Sequence, residues 1–163
     1  MTLNDLRSVK GLLIDTNLLI LLVIGRLDAS QISAHNLTNS YTTDDYKLLI
    51  SFISRFRSTV VTPNILTEAS NLLETYSYKG QQALTLLQDI AKAMNEVYCE
   101  SIMTMTNHHK SYIKFGLSDS VTYSLAIQNY LILTDDLKLC SYLQGQGLFA
   151  FNFNNLRTHY LLH

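Results

Sequence analysis

Five carboxylates stand where a fold could bring them together: Asp15, Glu68, Asp119 and the adjacent pair Asp135-Asp136. Asp15 directly follows the apolar run Gly11-Leu12-Leu13-Ile14, and Asp135-Asp136 follow Leu131-Ile132-Leu133-Thr134. Short apolar runs of this kind suit strands buried on both faces, as in a parallel sheet. Ligands of open parallel sheets bind outside the carboxyl ends of the strands, which is where both acidic sites fall. Glu68 lies early in the helix expected after the strand Thr59-Val60-Val61. Asp119 opens a further helix, just after its expected cap Ser118. Hard oxygen ligands in that number suit Mg²⁺ or Mn²⁺ and not zinc. A divalent ion held by such a set could activate a water.

Taken singly, Asp15, Asp119 and Asp136 also fit as helix-start residues, each stabilising an N-terminus by up to about 1 kcal/mol. Glu68 also fits as a solvated helix position. The set argues otherwise. Two carboxylates about 4 Å apart repel by roughly 4 kcal/mol at an effective dielectric near 20, so several together call for a cation.

The elements that must position these acids follow from the pattern along the chain. The helix after Asp15 runs through Ile24, and Gly25 to Thr42 reads as a long polar surface loop. Thr43-Asp44-Asp45 starts a helix with Tyr46, Leu49, Ile50, Ile53 and Phe56 at helical spacing. Thr62-Pro63 supplies a cap and a proline at the first helical position, where its missing N–H costs nothing. Gln81 to Glu96 is amphipathic, Glu96 to Ser101 is a candidate third strand, and Met103 to Phe115 reads as one helix. Helices are expected over Asp119 to Tyr130 and Asp136 to Leu143, a last strand over Ala150 to Phe153, and a helical tail. Strands alternating with helices predict an α/β fold with a central parallel sheet of four or five strands in one domain.

Leu13-Ile14-Asp15-Thr16-Asn17, Thr62-Pro63 leading to Glu68, Gly116-Leu117-Ser118-Asp119-Ser120 and Leu133-Thr134-Asp135-Asp136-Leu137 together resemble the PIN-domain pattern. The resemblance keeps the family's order from Gly11 to about Phe153. It implies an α/β/α sandwich and a metal-dependent ribonuclease, with Asp15, Glu68, Asp119 and Asp136 as the acidic quartet on Mg²⁺ or Mn²⁺. Asp135 is an ambiguous further ligand. Thr16, Asn17 and Thr134 match polar positions that orient the ligands. Many members are toxins of toxin–antitoxin pairs (the VapC-like group), held inactive by a small partner protein, and a homodimer is the family expectation. The apolar stretch Leu18 to Ile24 is a candidate dimer surface.

A rival enzyme, a signalling domain and a non-enzymatic interaction domain compete. A haloacid-dehalogenase-like phosphatase needs a second acid two residues after its nucleophile, and that position holds Asn17. A receiver domain pairs aspartates after its first strand and puts a lysine after its last, and neither feature is present. A catalytically silent PIN-like interaction domain is expected to lose one or more of the four acids, and all are retained.

Composition bounds the substrate. The formal net charge of the 163 residues is -1, and charged residues are only 15%. Binding of RNA therefore cannot rest on a general basic excess. Lys138, Lys114 and Arg157 are the candidate phosphate contacts, with Lys110 behind them. His108-His109, adjacent on a helix, point in different directions and do not suit one metal; they are expected in solvent. Cys99 and Cys140 lack disulfide or zinc spacing. The apolar run at Gly11 to Ile24 contains Asp15, Thr16 and Asn17, which argues against a signal peptide, and it is too short to span a bilayer. A cytoplasmic location is the resulting expectation.

Overall fold

A computed structural model describes residues 8–75 and 79–161, with the side chains of 159–161 left aside. In chain order its elements are β1 (Leu12–Ile14), α1 (Thr16–Asp28), a 3₁₀ turn (Ala29–Gln31), α2 (Thr43–Ile53), β2 (Thr59–Val61), α3 (Pro63–Glu74), α4 (Gly80–Lys92), β3 (Asn95–Glu96), α5 (Ser101–Asn107), α6 (His109–Phe115), α7 (Leu117–Ile127), β4 (Leu131–Thr134), α8 (Leu137–Gly145), β5 (Ala150–Asn152) and α9 (Phe153–Leu161). The five strands form one parallel sheet in the order β3-β2-β1-β4-β5. Helices α1 to α4 pack on one another, and α5, α6 and α7 form a second group that α8 joins through α7. Right-handed crossovers out to β3 and back to β4 put these groups on opposite faces, giving an α/β/α sandwich.

Central position explains the apolar strands. Leu12, Leu13 and Ile14 of β1 and Leu131, Ile132 and Leu133 of β4 are fully buried, because helices cover both faces of each strand. The register aligns Leu12 with both Thr59 and Leu131, and Ile14 with Leu133. The ends of β1 and β4 therefore lie side by side.

Helix α1 has no polar face, and Leu18 to Ile24 are all buried within this one chain. A helix apolar all round belongs in an interior. The expectation that Leu18 to Ile24 forms a dimer surface is corrected accordingly: α2, α3 and α4 already pack against this helix. Gly25 marks its closest approach to α2. A Cβ there would lie 2.4 Å from a ring carbon of Tyr46. Gly25→Ala is expected to cost about 1–3 kcal/mol through overpacking, read as a lower urea midpoint. Helix propensity alone predicts the reverse, a gain of about 1 kcal/mol, and a more stable variant would refute the close-packing account.

Several boundaries differ from expectation, each for a local reason. The helix continues through Gly25 to Asp28, whose side chain then caps the 3₁₀ turn at Ser30. The following segment runs at the surface but is anchored from within. Ile32, Thr38 and Tyr41 are buried, and the Thr38 hydroxyl donates to the Ile32 carbonyl at 2.7 Å. Strand β3 pairs only through Asn95 and Glu96, because its neighbour β2 ends at Val61. The expected helix from Met103 to Phe115 begins at Ser101 and breaks at His108 (φ -116°, ψ 39°). Ser118 does not cap α7. Gly116 precedes the helix at φ 85°, a conformation that favours glycine, and Ser118 lies in the first turn. Thr42 and Asp45 form a full capping box on α2, and the Thr62 hydroxyl accepts from the Ile65 N–H on α3. Both cysteines are free, Cys140 buried and Cys99 partly exposed. No helix among the described residues is long and apolar enough to cross a membrane.

Candidate active site

The chain leaves β1 toward β2 and β3, then returns to β4 and β5 on the other side of β1. The strand order thus reverses between β1 and β4, and a crevice must open beyond their carboxyl ends. Asp15 follows β1 and Asp135-Asp136 follow β4, so both acidic sites stand at its mouth. Early α3 contributes Glu68, and the first turn of α7 contributes Asp119. A cleft of about 210 Å³ is lined by all five carboxylates together with Thr16, Asn17 and Thr134. Residues up to 121 positions apart in sequence meet there, from Asp15 to Asp136.

Local hydrogen bonds fix most of these groups. Asp15 caps α1, its Oδ1 accepting from the Leu18 N–H at 2.9 Å. Its Oδ2 accepts from the Asp135 N–H at 2.8 Å and ties β1 to the loop after β4. The Thr16 hydroxyl donates to Glu68 Oε2 at 2.8 Å. Asp136 caps α8, accepting from the N–H groups of Lys138 (2.7 Å) and Leu139 (3.0 Å), while its own N–H donates to the Thr134 hydroxyl. Asp119 makes no side-chain hydrogen bond among the described residues and is only partly exposed.

Burial and mutual repulsion show in the proton affinities. Burial first, and then the charge of Asp135, pushes Asp15 up to about 7, against the opposing hydrogen bonds from Thr134, Leu18 and Asp135. Asp119 is pushed up to about 6 by burial, then by Asp136 and Glu68. These acids stay ionised together at neutral pH only at a cost, which a bound cation would offset. All-oxygen donors fit a hard divalent ion. Their spacing is less complete: no group of three or more His, Cys, Asp or Glu side chains among the described residues is arranged to hold a metal ion.

Asp135 is engaged differently from the other four. Its carboxylate accepts from Asn17 Nδ2 at 3.2 Å and from the Tyr41 hydroxyl, while its carbonyl accepts from Asn152 and Asn154. Tyr41, Asn152 and Asn154 were not evident as site residues from sequence. The two asparagines had a signal, since Asn152 ends β5 and Asn154 follows it, at the same sheet edge that singles out Asp15. Tyr41 had none, lying 94 positions from its partner in a segment read as loop. Ser118 and Thr122 also line the cleft from α7.

The basic candidates fare unequally. Lys138 is exposed beside Asp136 but does not itself line the cleft. Lys114 lies over the rings of Phe115 and Tyr142, at 5.0 and 4.9 Å, and does not line the cleft. Arg157, expected as a phosphate contact, is engaged within the chain through three of its five N–H donors. It bonds Asp45 Oδ1 at 2.8 Å, the Ser40 carbonyl at 2.9 Å and Asn154 Oδ1 at 3.0 Å, and packs 5.3 Å from the Tyr41 ring centre. His109 is exposed, but His108 is partly buried, edge-on to Tyr123. A scan of protein-family models finds none that matches this chain, and a search of curated proteins finds no match either.

Proposed function

We propose that the chain is a divalent-metal-dependent endoribonuclease of PIN-domain type, acting in the cytoplasm. One observation carries the reading: Asp15, Glu68, Asp119 and Asp136, from four separate segments, line one cleft at the point where the strand order reverses. The sequence resemblance to PIN domains supports the same assignment. Asp15, Glu68, Asp119 and Asp136 would hold Mg²⁺ or Mn²⁺, which when bound would activate a water and offset charge on the leaving oxygen. Asp15 and Asp136, each fixed by two backbone N–H groups, present their carboxylates without loss of side-chain freedom on binding. Thr16 orients Glu68. Asp135, held by Asn17 and Tyr41, acts as a positioning residue. Water attacks phosphorus, the bond to the 3′ oxygen breaks, and a proton passes to that oxygen, leaving 5′-phosphate and 3′-hydroxyl ends. The resemblance extends the proposal to a toxin controlled by a small antitoxin and to a homodimer, whose interface must use a surface other than Leu18 to Ile24.

A second reading, a silent interaction domain, is favoured by the lack of a preformed metal-holding group among the described residues. One experiment separates the two. Single-stranded RNA is incubated with the protein in Mg²⁺, in Mn²⁺ or in EDTA, and thermal unfolding is followed in the same buffers. The nuclease reading expects cleavage lost in EDTA and metal stabilisation of up to roughly 3 kcal/mol at a hundredfold excess over Kd. Absence of both responses would hand the chain to the interaction reading. Products ending in 2′,3′-cyclic phosphate would overturn the hydrolytic mechanism.

A further inference from the structure

A second groove, of about 470 Å³, runs beside the acidic cleft and shares Glu68 and Ser118 with it. Its walls are the outer face of α3, with Asn64, Thr67 and Asn71, and the segment after β3, with Tyr98 and Cys99. Glu68 apart, the lining is uncharged. Tyr98 is 74% exposed, so its ring buries little against the protein.

We propose that this groove seats an unpaired base of single-stranded RNA next to the scissile phosphodiester, with Tyr98 stacking on the base and Asn64 and Asn71 contacting its edge. The proposal rests on the nuclease reading above and extends it to how substrate is selected. Three physical points converge. Affinity for a polyanion cannot come from net charge, which is -1, and Arg157 is already paired with Asp45 and bonded to Ser40 and Asn154. Uncharged contacts therefore add to what an exposed cation such as Lys138 supplies, and stacking of one base on an aromatic ring is worth about 1–3 kcal/mol. An amide side chain carries both donor and acceptor, so Asn64 and Asn71, one face and two turns apart on α3, suit the mixed edge of a base. The groove opens directly onto the acids that would act on the adjoining phosphate. A protein partner would also cover an exposed tyrosine. Continuity with the cleft and the amide-lined wall favour the nucleotide.

The test uses the full chain and a fluorescent random-sequence single-stranded RNA 12-mer, with Ca²⁺ replacing Mg²⁺ so that anisotropy reads binding without turnover. The wild type is expected to bind, with affinity falling less than tenfold between 50 and 200 mM salt, since few phosphates are neutralised (roughly 1,000-fold is typical of a basic binder). Tyr98→Ala should weaken binding about tenfold or more, and Tyr98→Phe should retain it. Thermal stabilisation by Mg²⁺ should be the same in all three, which separates loss of the groove from damage to the fold or the acidic cleft. Wild-type-like binding by Tyr98→Ala overturns the assignment of the groove, and a steep salt dependence overturns its uncharged basis. If the wild type binds no RNA and ignores Mg²⁺, the nuclease reading itself fails, and the groove proposal with it.

Discussion

Asp119→Asn is expected to unfold at a higher temperature than the wild type in metal-free buffer at pH 8, and to lose metal-stimulated RNA cleavage. The two effects have one cause. Burial, Asp136 and Glu68 hold the Asp119 pKa near 6, against 3.8 for an ordinary aspartate. Below about pH 3.8 the group is protonated in both the folded and unfolded chains and contributes no difference. Between about 3.8 and 6 the folded chain retains a proton that the unfolded chain has lost, so stability falls as pH rises through that window. Above pH 6 the full penalty persists. Asparagine cannot ionise and escapes it. No hydrogen bond to Asp119 is lost, because it makes none among the described residues. Allowing for the group's partial exposure, the gain is about 1–2 kcal/mol, a few degrees in midpoint for a chain of this size. The advantage should vanish at pH 4, where the wild-type carboxyl is neutral. It should also shrink or reverse in millimolar Mg²⁺, because the wild type alone gains from the ion. Calorimetry at pH 4 and pH 8, with and without Mg²⁺, reads all four cases. A variant less stable than wild type in metal-free buffer at pH 8 would show that Asp119 is a structural acid and not a strained ligand.

Asp45→Ala should destabilise the fold by about 3 kcal/mol or more, the largest loss expected from a single residue outside the apolar core. Asp45 is 5% exposed and accepts three hydrogen bonds, from the Thr42 N–H (2.7 Å), the Thr42 hydroxyl (2.9 Å) and Arg157 Nε (2.8 Å). Truncation removes the capping box of α2 and leaves the guanidinium of Arg157, whose side chain is only 21% exposed, without its carboxylate. Removing one partner of such a pair costs more than the pair contributes, because the remaining charge stays desolvated. The double variant Asp45→Ala with Arg157→Met should therefore recover a large part of the loss in urea unfolding. The effect reaches the acidic cleft as well. Arg157 packs on Tyr41, and the Tyr41 hydroxyl holds Asp135, so Asp45→Ala should also weaken stabilisation by Mg²⁺, whereas the double variant stays weak in that respect. A single variant within 0.5 kcal/mol of wild type, about the range of ordinary surface changes, would show that the Asp45–Arg157 pair is no such strut.

The acids were legible because each obeys a local rule. Asp15 and Asp136 follow apolar strands and cap helices, and that combination is visible within a few residues. Glu68 and Asp119 needed the expected order of strands and helices as well, and the parallel sheet that order implies is the one present. Helix ends were harder. Ser118 looks like a cap, but Gly116 at positive φ lets the helix begin one residue before it. The stretch after Gly25 looks polar and aperiodic, yet it hides Ile32 and Tyr41.

What the sequence determined by itself was the local content: which runs are apolar enough for central strands, which residues cap, and which acids end up at the carboxyl edge of the sheet. Period and punctuation act over three or four residues, so they can be read without the fold. Only the tertiary structure decided how surfaces are used. It buried α1 inside one chain instead of leaving it for a partner, since three helices close over an apolar cylinder. It turned Arg157 inward to Asp45, 112 positions away, and brought Tyr41 to Asp135 across 94. Contacts between segments so far apart leave no local pattern, because they depend on where packing sets each helix and loop.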